Sequence, residues 1–164
     1  MGWGGIKNLP PDGDVFGGKR PPPSIVDEAI QGKVNGLPAG RQALFADLKR
    51  NLLHQDYLRY FDSVLVCARV LEEIEGGRYT TAAVRDIVEP SLTVALEQFG
   101  AIRDDAERAR KSGRKLQYDP LPSLGELHRR SRPIAAAFPG ARGAAGFDAA
   151  YDSIREAVQT LAAG

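Results

Sequence analysis

The stretch RQALFADLKRNLLHQDYLRYFDSVLVCARVLEEIE, residues 41–75, decides the fold. Its apolar side chains recur at steps of three and four. Leu44, Phe45, Leu48 and Leu52 make a first stripe, and Tyr57, Tyr60, Phe61, Val64, Leu65, Ala68, Leu71 and Ile74 continue it. That is the period of a helix with one buried face; a half-buried strand would alternate at every second residue. No Pro or Gly interrupts these 35 residues, so one long helix and two helices with a bend near His54 both fit. Gly76-Gly77 is a clear stop, because glycine adopts the left-handed conformation that commonly ends a helix.

The same period extends on both sides. Upstream, Pro21-Pro22-Pro23 cannot lie within a helix. Ser24 can cap a short one, with Asp27 and Glu28 in its electropositive first turn. Downstream, Thr80 or Thr81 can cap the next helix, whose apolar face includes Ala83, Val84, Ile87, Leu92, Leu96 and Phe99. Pro90 lies inside it and should kink it, since proline removes a backbone donor and crowds the preceding turn. That helix runs into RDDAERARKSGRK, which reads as charged on every side and is expected to project into water or reach a partner. Ser123 and Glu126 form a capping box for a fourth helix, which Pro133 is expected to break or bend. A last helix, about residues 147–162, places Phe147, Ala150, Tyr151, Ile154, Val158 and Leu161 on one face.

No stretch alternates as a strand does. The expected fold is therefore all-α: a bundle of about four main helices plus a short N-terminal helix, preceded by an extended Gly/Pro-rich arm. The expected division is an arm over residues 1–23 and a single helical domain over residues 24–164. The first 40 residues hold 6 of the 11 prolines and 9 of the 18 glycines, which favours turns over periodic structure. Within the arm, Trp3, Ile6, Leu9, Val15 and Phe16 are apolar anchors spaced along the chain. They suit a segment that docks on a partner better than a purely solvating tail.

Composition narrows the function classes. Of 164 residues, 22 are basic and 21 acidic, a balance with no overall pull toward nucleic acid or membrane. The longest apolar run, residues 64–68, is far short of the roughly 20 residues a bilayer span needs. The sequence MGWGGIKN lacks the apolar core of a secretory signal. The expected location is therefore cytoplasmic, or a particle assembled in the cytoplasm.

Candidate chemistry is sparse. GDVFGGKR, residues 13–20, reads like a phosphate-binding loop but has Arg20 where the magnesium-binding hydroxyl belongs. Three prolines without amide hydrogens follow it. Cys67 sits in the apolar run VLVCARV and reads as core. With one Cys and only His54 and His128, a four-ligand Cys/His zinc site is not available. Neither a catalytic residue nor a metal or cofactor site is assigned.

Residues 103–132 hold nine basic and five acidic side chains. If the Lys111 end and the His128-Arg129-Arg130 turn were adjacent, they would make a basic patch for RNA, DNA or an acidic protein face. The reading that follows is a non-enzymatic structural or adaptor subunit of a larger protein assembly, of which a virion or head–tail connector subunit is one version. Its partners would be other protein subunits, in a homo- or hetero-oligomer. Its partner-binding residues would be Trp3, Ile6, Leu9, Val15 and Phe16 on the arm, with Lys111, Arg114, Arg129 and Arg130. The alternatives are a small nucleic-acid-binding or regulatory module using residues 103–132, and an enzyme with a site around His54, Asp56, Tyr57 and Tyr60.

Overall fold

The computed structural model describes residues 28–116 and 118–163, and the arm anchors and the Ser24 cap lie outside them. The described residues form α1 (Glu28–Asn35), α2 (Ala39–Leu53), α3 (Tyr57–Glu75), a π-helical segment (Ala82–Val88) leading into α4 (Glu89–Lys111), α5 (Pro120–Ala137) and α6 (Phe147–Ala163). None of them lies in a strand. The all-α architecture follows from the three-and-four spacing of the apolar residues. No helix of the described residues is long and apolar enough to cross a membrane. Contacts group the chain into two compact units, one ending at Pro90 and the other beginning at Ser91.

In the first unit, residues 41–75 form two helices. The break has no Pro or Gly. Instead Gln55 adopts a left-handed backbone, φ 59°. The Asp56 N–H bonds the Asn51 carbonyl at 2.8 Å and the Gln55 N–H bonds that of Leu52 at 3.0 Å. This is a Schellman closure built on a non-glycine residue. Asp56 then starts α3, its carboxylate 3.5 Å from the Arg59 N–H. The turn lets α2 and α3 fold onto each other, burying Phe45, Leu48 and Leu52 with Tyr60, Phe61, Val64 and Leu71. Gln42 reaches back from α2 to the end of α1, donating to the carbonyls of Leu37 at 2.8 Å and Asn35 at 3.0 Å. Lys33–Glu75 and Arg41–Glu73 ion pairs tie the start of the unit to the end of α3.

The connection after α3 is short and built around Glu72. Gly76 takes φ 77° at the helix end, and its N–H bonds the Glu72 carbonyl at 2.9 Å. A Cβ added there would meet nothing within 4 Å, so the cost of a side chain is conformational alone. Gly76→Ala should therefore destabilise by about 1–2 kcal/mol, read from the urea midpoint, with the helical circular dichroism unchanged.

Thr80 caps the next helix, its Oγ1 accepting from the Ala83 N–H at 3.3 Å. The disturbance expected at Pro90 takes the form of the π segment just before it, where the Glu89 N–H bonds the Val84 carbonyl five residues back. The physical reason is local. Pro90 cannot donate, and its ring would crowd the carbonyl four residues earlier; a wider turn relieves the crowding.

In the second unit, α5 begins three residues before the expected capping box. Asp119 is the cap, its carboxylate accepting from the Leu121 N–H at 3.0 Å, and Pro120 occupies the first helical position. Proline fits there because that N–H has no helical partner in any case. Ser123 is thus inside the helix. Pro133 does not end α5, which runs on to Ala137. Leu124, Ile134, Phe138, Phe147 and Val158 are buried together with Phe99 of α4.

Candidate docking groove at the end of helix α4

The charged end of α4 is not polar all round. Ala106 and Ala109, three residues apart, are buried at 2% and 3% exposure. They are the continuation of the α4 apolar stripe, reduced to methyl groups. This corrects the expectation that the helix end is charged on every side. Beside them lie residues 113–116 and 118–119, between α4 and α5, and the end of α6 comes alongside. Between these elements lies an open concavity of about 1070 Å³.

Its floor is apolar, from Ala106, Ala109, Leu116, Pro120, Leu121 and Leu161, and its rim is cationic, from Arg110, Arg114 and Lys115. All three cations are exposed, as is the neighbouring Lys111. The Arg114 Nε donates to Ser112 Oγ at 3.0 Å. Among the described residues no acidic side chain pairs with these four cations; nearby, Arg108 pairs with Asp105, and Arg103 lies 3.5 Å from Asp104. The acidic Asp119 at the rim has its carboxylate engaged as the α5 cap. Tyr118, 44% exposed, completes the wall. Burial, with a further contribution from Asp105, pushes its phenol above the usual value.

The two expected halves of the basic patch are placed apart. The His128 ring is within 6.3 Å of the Phe99 ring, twelve residues before Lys111 on α4, a separation of roughly 18 Å along the helix. Nor is 128–130 a turn; it lies within α5. Both arginines there are matched locally. Arg129 Nε donates to Glu126 Oε1 at 3.0 Å and Arg130 Nε lies 3.2 Å from Glu126 Oε2. The Arg129 hydrogen bond, opposed by slight burial and reinforced by Arg130, holds the Glu126 carboxyl below its usual value. Of the four basic residues expected to bind a partner, Arg114 lines the groove and Lys111 follows the lining residue Arg110 in the chain, while Arg129 and Arg130 lie elsewhere.

His128 has a different role from the one its sequence neighbours suggest. Its ring stacks on Tyr151, centroids 3.7 Å apart and planes 2° from parallel. Nε2 donates to Asp148 Oδ1 at 2.9 Å, and Arg132 Nε reaches Asp148 Oδ2 at 3.1 Å. The His128 hydrogen bond, outweighing the opposing effect of burial, and the Arg132 contacts lower the Asp148 carboxyl pKa. The cluster clasps α5 to α6. The signal for it was the Phe147-Asp148-Tyr151 spacing, which puts all three on adjoining positions of one helix face.

The His54 group does not converge on a common point. His54 is exposed at the end of α2, Asp56 serves the start of α3, and Tyr60 is buried at 1% exposure. Burial, and then the neighbouring Tyr57, push the Tyr60 phenol well above its usual value. Cys67 is buried with its Sγ 3.4 Å from the Leu44 carbonyl. Burial and the nearby Asp47 push the thiol up to about 12, which suits packing and opposes nucleophilic use. Among the described residues, no group of three or more His, Cys, Asp or Glu side chains could hold a metal ion.

Compared with protein-family models, curated proteins and solved structures, the chain matches none.

Proposed function

We propose that this chain is a non-enzymatic structural or adaptor subunit of a larger protein assembly, and that the groove at the end of α4 docks an acidic, apolar-tipped segment of a protein partner. The observation that carries this reading is the meeting, in one concavity, of an apolar floor with cations that pair with no acidic side chain among the described residues. An apolar side chain seated on Leu116, Leu121 and Leu161 would release water. Carboxylates beside it would neutralise Arg110, Arg114 and Lys115. Such contacts give steering and register more than raw affinity.

A nucleic-acid partner fits the same surface less well. A phosphate backbone is met by a track of cations, and here the basic residues farther along α5 are already matched by Glu126 and Asp148.

The test is a titration of the full chain into a labelled octapeptide of alternating Asp and Phe, beside its Lys-for-Asp counterpart and a single-stranded oligonucleotide. The acidic peptide should bind, more weakly as salt rises. Arg114→Glu combined with Lys115→Glu should weaken it about tenfold or more. Absence of acidic-peptide binding at concentrations where the chain is monomeric overturns the reading, and preferential binding of the oligonucleotide moves it to the nucleic-acid alternative.

A further inference from the structure

We infer that the occupant of the groove is the segment PPDGDVF, residues 10–16, of a second copy of this chain, so that two copies exchange N-terminal segments. The inference rests on the reading that the groove takes acidic, apolar-tipped segments.

Charge complementarity is the first argument. Asp12 and Asp14 are followed at once by Val15 and Phe16. Two carboxylates and then two apolar side chains match a rim carrying Arg110, Arg114 and Lys115 above a floor of Leu116, Leu121 and Leu161. The groove therefore needs no foreign chemistry to be filled; the chain carries it.

Reach is the second. Phe16 lies twelve positions before Glu28, the first residue of α1. Twelve residues can span up to roughly 40 Å, ample for crossing to a neighbour. Pro21, Pro22 and Pro23 fall within that connection. Each fixes φ and disfavours helical backbone at the residue before it, so the triplet favours an extended run. Reciprocal exchange between two copies closes as a two-fold dimer, in which the contact is made twice.

The experiment measures the native mass of the full chain by sedimentation over a range of concentrations. Wild type should be dimeric. Asp12→Lys with Asp14→Lys in one variant, and Arg114→Glu with Lys115→Glu in another, should each raise the dimer dissociation constant about tenfold or more. Mixing the two variants should restore the dimer, because the reversed segment of one meets the reversed groove of the other and the two native surfaces also meet. Restoration also shows that neither variant failed to fold.

A chain that is monomeric throughout overturns the inference. So does a dimer indifferent to both reversals, or a mixture that restores nothing. The acidic octapeptide, titrated into the same samples, separates the two failures. If the monomeric chain binds it through Arg114 and Lys115, the groove reading stands and only the second-copy occupant is lost. If it binds nothing, both fall.

Discussion

Replacing Phe99 by alanine is expected to cost about 3–5 kcal/mol. Phe99 is completely buried, and its ring touches those of Phe147 at 5.7 Å, Tyr151 at 5.3 Å and His128 at 6.3 Å. It is the one aromatic side chain of α4 to contact both α5 and α6 in this cluster. Truncation removes a ring's worth of apolar burial and leaves a cavity whose walls are held in place by the His128–Asp148–Arg132 clasp. Walls that cannot collapse make the cavity cost large. Whole-domain stabilities are only about 5–15 kcal/mol, so much of the folded state's margin would go. Urea unfolding followed by circular dichroism measures it. The near-ultraviolet signal should report the disordering of Tyr151 before helicity is lost. A loss below about 1 kcal/mol would show that α4 is not held at this point.

The second large effect is at Glu72. Its side chain is buried, yet it is a carboxylate. Burial raises its pKa, but the Tyr79 N–H, the Arg69 hydrogen bond at 2.6 Å and the charges of Arg69 and Arg78 outweigh burial and leave the carboxyl below its usual value. Tyr79 has φ 57°, a conformation that strains a non-glycine residue and persists only where the surroundings impose it. Here the Glu72 carboxylate accepting the Tyr79 N–H supplies part of that imposition. Glu72→Ala should destabilise by about 1–3 kcal/mol.

The sign of the pH dependence follows from the lowered pKa. A carboxyl lowered on folding contributes stability that is complete above its unfolded pKa of about 4.3. That contribution is lost as pH falls through the lower folded value. Glu72→Gln should therefore shrink the stability difference between pH 7 and pH 3 relative to wild type. An unchanged difference would mean that other carboxylates carry the acid limb.

Both effects depend on residues whose importance the sequence conceals to different degrees. Phe99 was legible as a core position from its place in the 3.6-residue stripe. That its ring would meet a histidine from α5 was not, because His128 lies 29 positions away and reads locally as one of a run of cations. Glu72 reads as part of a solvated EEIE helix end. Its burial arises because residues 76–79 fold back over it, which no local pattern encodes. At and next to the groove, Arg114 and Lys111 stood out as charges. The floor did not, because Ala106 and Ala109 are too small to register as an apolar stripe among so many charged neighbours.

What the sequence determined by itself is the all-α class, the helix stop at Gly76, the disturbance around Pro90 and the core placement of Cys67. Each follows from backbone stereochemistry or from the period of apolar side chains, which are properties of neighbours along the chain. The tertiary structure decided the rest: the break at Gln55 without Pro or Gly, the cap at Asp119, the pairing of Arg129 and Arg130 with Glu126, and the apolar floor beneath Arg110, Arg114 and Lys115. These turn on which side chains from separate helices come within a few ångströms of each other. That distance decides whether a cation is neutralised at home or left facing a groove.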